Sequence, residues 1–155
     1  EHTVSNMKRY LTILIAALSL CSCNKPGPHS TDPLIDVTPT TIAGVWMLES
    51  FDNGKSLAEG NFVYIEFVRS DRSYTLYQNV GSMYTQTMRG NYFIDTDPEL
   101  GAVIRGNYGT DEYNYFDWSH RYIVEMTSSR MRWTAKDESD DVTVYVRVES
   151  LPEGI

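Results

Sequence analysis

From residue 42 to residue 149 the chain alternates: apolar or aromatic residues recur at every second position in short runs, broken by small polar clusters. A period of two is that of a half-buried strand, and the 3.6-residue period of an amphipathic helix is nearly absent. The pattern predicts strands over 42–51, 61–69, 73–80, 83–94, 100–106, 113–126, 129–135 and 141–149. The breaks carry turn residues, among them Asp52-Asn53-Gly54, Ser70-Asp71-Arg72, Val80-Gly81-Ser82, Ser128-Ser129 and the run Asp137 to Asp141. Links this short join antiparallel neighbours, and no strand–helix alternation supports an α/β fold. The expected fold is all-β, an eight-stranded antiparallel up-and-down barrel whose closure removes exposed edges.

Phasing each strand by its apolar members assigns an inward set. It comprises Trp46 and Leu48, then Val63, Ile65 and Phe67, Tyr74 and Leu76, and Tyr92 and Ile94. Tyr122, Val124 and Met126 follow, with Met131, Trp133, Tyr145 and Arg147 from the last two strands. Aromatic residues are plentiful (11 Tyr, 5 Phe and 3 Trp in the chain), which suits a pleated surface with one buried face. An interior of this kind combines flat apolar faces with hydroxyl and indole donors, the means by which a pocket orients a small molecule. Phe67, Tyr74, Tyr92, Tyr122, Trp133 and Tyr145 are the candidate ligand contacts. The competing reading is a solid core with no cavity.

One stretch breaks the alternation. From Leu11 to Cys21 the chain is apolar, interrupted by Thr12 and Ser19 and preceded by Lys8 and Arg9. A run of about 11 residues falls well short of the roughly 20 that cross a hydrocarbon core. Basic flank, apolar centre and small residues after it make a secretory signal peptide, with Met7 as its start. The tetrad Leu20-Cys21-Ser22-Cys23 resembles the lipobox of bacterial lipoproteins. That resemblance implies acylation at Cys23, loss of Cys21 with the signal peptide, and a firm membrane anchor of three acyl chains. The alternative is an ordinary signal peptide with a free thiol. Asn24 after the cysteine is not the aspartate of inner-membrane retention. The implied site is therefore the outer membrane of a Gram-negative bacterium, on the periplasmic face rather than the cell surface. With Cys21 gone, the mature chain has no cysteine pair and no disulfide. Three segments are expected: 1–22 as extension and signal peptide, 23–40 as lipidated cysteine and Pro-rich tether, and 41–155 as the barrel domain.

Gly44-Val45-Trp46 at the head of the first strand matches the G-x-W motif of the lipocalins, and the stretch from Thr41 to Val148 resembles the lipocalin-like domain of small bacterial lipoproteins. Gly90-Asn91-Tyr92 and Tyr122-Ile123-Val124 are similar to the same group. Thr110-Asp111 resembles its T-D-Y motif, with Glu112 in place of the tyrosine. The resemblance implies that Trp46 closes the barrel floor and that Arg147, from the last strand, packs across its ring. A cation over indole contributes about 0.5–2 kcal/mol.

Charge and chemistry narrow the function. The chain carries a formal net charge of −8, one unit more negative once Glu1, Lys8 and Arg9 leave with the first segment. Nucleic-acid binding needs a basic footprint, so that class is excluded. Of three histidines, His120 alone falls in the domain, too few for a zinc set. Asp117, Ser119 and His120 are triad residue types, but strand alternation places His120 on the face opposite the other two. The acidic runs Asp95 to Glu99 and Asp137 to Asp141 read as solvated hairpin turns rather than calcium loops. No glycine-rich phosphate loop occurs. No cofactor, metal or catalytic residue is expected. The expected function is a membrane-anchored lipoprotein whose barrel binds a small apolar or amphipathic ligand. The alternative is a non-catalytic structural or interaction module with a solid core, its acidic loops meeting another envelope protein.

Overall fold

The computed structural model describes residues 32–109 and 116–155. The expected signal segment, Cys23 and the start of the tether lie outside the described residues, as do Thr110, Asp111 and Glu112. A single turn of helix, α1 (Pro39–Ile42), precedes nine strands: β1 (Gly44–Ser50), β2 (Val63–Phe67), β3 (Ser73–Gln78), β4 (Gln86–Asp97), β5 (Gly101–Tyr108), β6 (Phe116–Asp117), β7 (Tyr122–Met126), β8 (Arg130–Ala135) and β9 (Val142–Val148). β1 to β5 pair in sequence order, then β5 with β7, β7 with β8, β8 with β9, and β9 with β1. Eight strands thus close an antiparallel up-and-down barrel, and β6 is a two-residue flank on β5. Every pairing is antiparallel, as short turns between sequence neighbours require.

The alternation does what its period dictates. Trp46 is paired with Ile65 on one side and Arg147 on the other, and Ile65 in turn with Leu76. Residues directly opposite one another share a face, so an inward Trp46 carries its partners inward. The buried cluster holds Trp46, Ile65, Phe67, Tyr74, Tyr92, Val124, Met126, Met131, Trp133 and Tyr145, with Leu48, Leu76, Ile94 and Tyr122 packed against it. The acidic run Asp137 to Asp141 sits in a turn, whereas the run Asp95 to Glu99 begins on the end of β4 and reaches the turn at Pro98. Asp97 accepts from the Glu99 and Leu100 amides between β4 and β5, and residues 136–141 link β8 to β9.

Three details differ from the pattern. The stretch 113–126 is not one strand: β6 and β7 are separate, and residues 118–121 leave the sheet between them. The Trp118 indole lies over the inner face of Gly106, where a Cβ would come within 2.5 Å of its ring atoms, and β5 and β7 share two residue pairs. β4 runs three residues further than the expected end at 94, because its first half pairs with β3 and its second half with β5. The changeover comes at Gly90, where a Cβ would lie 1.8 Å from the Asn107 carbonyl oxygen. Only glycine admits so close a backbone. Buried Asn107 completes this corner by accepting the Asn91 amide on its side-chain oxygen at 3.1 Å.

Finally, the last part of the stretch read as tether lies against the barrel. The Ile35 amide donates to the Met126 carbonyl at 2.9 Å, and Ile35 and Val37 pack on the core. Thr38 caps α1 in a reciprocal pairing with Thr41, which sets buried Ile42 below Trp46.

Candidate functional site

The barrel floor is built around Trp46, which is fully buried. Its Nε1 donates to the Ile42 carbonyl at 2.8 Å, so α1 supplies the acceptor that a buried indole requires. The Arg147 guanidinium carbon stands 4.1 Å from the centroid of the Trp46 ring. Its nitrogens donate to three carbonyls: Nε to Ser128 at 2.8 Å, Nη1 to Ala43 at 2.7 Å and Nη2 to Thr41 at 2.6 Å. Burial lowers the Arg147 pKa from its usual value, the direction desolvation gives a cation. Gly44, at a φ of 113°, lies under this guanidinium: a Cβ there would be 3.0 Å from Nη1. The glycine of G-x-W therefore has a local reason, a left-handed backbone beneath a cation.

The other aromatic candidates divide by what their polar atoms do. The Tyr74 hydroxyl donates to the Asn107 carbonyl at 2.9 Å and accepts the Trp118 Nε1–H at 2.8 Å. The Tyr92 hydroxyl donates to the Val68 carbonyl at 3.4 Å. Phe67 packs edge-on against Tyr92, with ring centroids 5.0 Å apart. These three belong to a packed core whose hydrogen bonds are internal.

Tyr122, Trp133 and Tyr145 form a second group. The Trp133 ring centroid lies 5.2 Å from that of Tyr122, 5.3 Å from Tyr145, 5.7 Å from Trp118 and 6.2 Å from Phe67. Trp133 is 5% exposed, and its Nε1 is a buried donor with no hydrogen-bond partner among the described residues. Burial pushes the Tyr122 and Tyr145 hydroxyls up, and the Asp141 carboxylate adds to both shifts by disfavouring a second negative charge. This end of the barrel thus faces the acidic β8–β9 turn.

Outside Trp118 lies a cleft of about 420 Å³. Phe93 and Arg105 of the outer sheet face line one side, segment 117–121 the next, and Lys136 and Asp137 the third. His120 Nδ1 is 2.8 Å from Asp137 Oδ1. That hydrogen bond is the main cause of a raised His120 pKa and a lowered Asp137 pKa. The carboxylate beside His120 is therefore Asp137, across the cleft, and not Asp117. A carboxylate on Nδ1 fixes the ring and leaves Nε2 as the second proton-carrying position. Arg105 and Lys136 are engaged by Asp95 at 2.9 Å and Asp97 at 3.0 Å.

Trp118 is the residue that the alternation passes over. It forms one wall of the cleft and touches Tyr74, Tyr122 and Trp133 on its other side, so it separates the cleft from the interior. Counting back by twos from inward Tyr122 reaches position 118, which is the signal that marks it. Among the described residues no group of His, Cys, Asp and Glu is gathered to hold a metal. Compared with protein-family models, with curated proteins and with solved structures, the chain matches none.

Proposed function

We propose that this chain is a membrane-anchored lipoprotein whose lipocalin-like barrel binds a small, partly apolar ligand. The lipobox around Cys23 supports the anchor, with the outer membrane as its site and the periplasmic face as its orientation. The closed eight-stranded barrel supports the carrier architecture, since eight strands enclose room for side chains or one small ligand. The observation that supports the binding role is the Trp133 Nε1, a donor buried among aromatic rings with no acceptor among the described residues. Native barrels rarely leave such a donor unused, because it costs about 1–3 kcal/mol.

The second reading is a non-catalytic envelope module with a solid barrel. The buried Trp46 and the mutually packed, buried Phe67 and Tyr92 favour it. Native mass spectrometry of the protein purified from its own host separates the two. A ligand-binding barrel carries a bound small molecule whose mass disappears on denaturation; a solid one shows the acylated chain mass alone in both states. Membrane fractionation of Cys23→Ala tests the anchor: the variant leaves the membrane fraction, whereas Cys21→Ala stays in it.

A further inference from the structure

The three indole nitrogens of the chain are placed differently. Trp46 Nε1 is bonded to Ile42 and Trp118 Nε1 to Tyr74, both at 2.8 Å. Of the three, Trp133 Nε1 is the one without an acceptor among the described residues, although the residue is buried in the core. An indole is a donor and nothing else, so what completes it must present a lone pair.

The surroundings restrict that partner further. Four rings surround Trp133, from Phe67, Trp118, Tyr122 and Tyr145. Of the cations on the neighbouring strands, Arg147 is committed to three carbonyls and the Trp46 face, and Arg130, whose Nε is a second buried donor without a partner among the described residues, alternates with inward Met131 onto the outer face, where it pairs with Glu49. The charges that reach the Tyr122 and Tyr145 hydroxyls come from Asp137 and Asp141, and they are negative. A carboxylate or phosphate brought here would be desolvated with no free cation on the inner face to pair it, which disfavours an anion. Of the four rings, three stand on barrel strands, while Trp118 sits on the segment between β6 and β7 with the 420 Å³ cleft behind it. One hydrogen bond, to Tyr74, ties its indole nitrogen. It is the wall between that cleft and Trp133.

We propose that Trp133 Nε1 is the recognition donor of the barrel, selecting uncharged, ring-sized molecules that carry a carbonyl or ether oxygen, and that such molecules enter from the cleft past Trp118. The inference rests on the ligand-binding reading above and names its ligand class.

Three probes with one ring system test it: acetylnaphthalene, which carries a ketone; ethylnaphthalene, which has no acceptor; and naphthoate, which is an anion. Each is titrated calorimetrically into the full chain and into its Trp133→Phe variant. The ketone is expected to bind the unaltered chain about tenfold more tightly than the hydrocarbon, the size of one neutral hydrogen bond. Naphthoate is expected to bind more weakly than the ketone. Trp133→Phe, which keeps an aromatic ring and removes the donor, is expected to abolish the ketone's advantage. Equal binding of ketone and hydrocarbon by the unaltered chain overturns the donor assignment while leaving a ligand-binding barrel in place. Tightest binding by naphthoate overturns the exclusion of anions. Binding by none of the three overturns the barrel-as-binder reading itself. Because the comparison of probes is made on the unaltered chain, it decides the matter even if Trp133→Phe fails to fold.

Discussion

Trp46 and Trp133 are buried indoles on the inner face of the same barrel, and their surroundings are opposite in kind. Around Trp46 every polar atom is answered from within the chain: Nε1 by Ile42, the ring face by Arg147, and the guanidinium by Ser128, Ala43 and Thr41. Around Trp133 the neighbours are rings, and Nε1 is answered by nothing among the described residues. A floor made of a plugged indole contributes stability and tolerates no visitor. An aromatic interior with an unpaired donor gives up some stability, and in binding proteins that is the condition for affinity. On the proposed binding role, the Trp46 floor serves structure and the interior around Trp133 serves recognition.

The sharpest way to break this comparison is at the floor. Trp46→Ala removes a fully buried indole and is expected to cost about 3–5 kcal/mol in urea unfolding. Arg147→Ala removes the cation and strands three carbonyl acceptors, for about 1–3 kcal/mol. The double variant is expected to lose less than the two single losses combined, since both remove the same contact. Strict additivity would mean that the ring and the guanidinium do not support each other.

A subtler pair of variants compares the tryptophans directly. Trp46→Phe leaves the Ile42 carbonyl without its donor, whereas Trp133→Phe deletes a donor that had no acceptor. Both lose similar ring volume, so the floor variant is expected to be the less stable by about 1–3 kcal/mol, the value of an orphaned buried polar group. Equal losses would mean that Trp133 Nε1 is as well satisfied as Trp46 Nε1.

The smallest effect belongs to the cleft. His120 is held above the ordinary imidazole value and Asp137 below the ordinary carboxylate value, chiefly by their shared hydrogen bond, with Asp141 and Glu138 adding to the histidine shift. A raised histidine pKa contributes stability that is complete below its unfolded value and fades as pH rises through the folded one. A lowered aspartate pKa contributes stability that is complete above its unfolded value and fades as pH falls through the folded one. The pair therefore stabilises the fold between those limits, from about pH 4 to about pH 6.5. Asp137→Asn is expected to lower the melting temperature most at about pH 5.5 and by less at about pH 9, where the imidazolium charge is lost and the hydrogen bond alone is left. A constant difference across that range would place the effect elsewhere than in the ion pair.

Much of the barrel was legible because period-two alternation and turn chemistry are local. Tyr74 and Trp133 are buried on one face for the same reason that they alternate with polar neighbours, and Phe67, Tyr92 and Tyr145 keep the same two-residue phase. What alternation could not supply was the partner of each polar atom, which is a tertiary fact. Nothing in the spacing distinguishes Tyr92, whose hydroxyl finds Val68, from Trp133, whose nitrogen finds nothing. The break between β6 and β7 was hidden because Phe116, Trp118 and Tyr122 continue the two-residue rhythm through a segment whose ladder is interrupted. The His120–Asp137 pair joins residues from two separate links, so sequence neighbours Asp117 and Ser119 drew attention that belonged to a turn further on.

The contrast between the two indoles is read most directly from the indole N–H signals of the full chain in a nitrogen-15 spectrum, where three tryptophans give three resonances. On saturation with acetylnaphthalene, the Trp133 resonance is predicted to shift downfield as its proton gains an acceptor, while the Trp46 resonance stays where it was. A Trp133 signal that holds still while the ketone is demonstrably bound, or a Trp46 signal that moves in its place, would contradict the division of the barrel into a closed floor and a receptive interior.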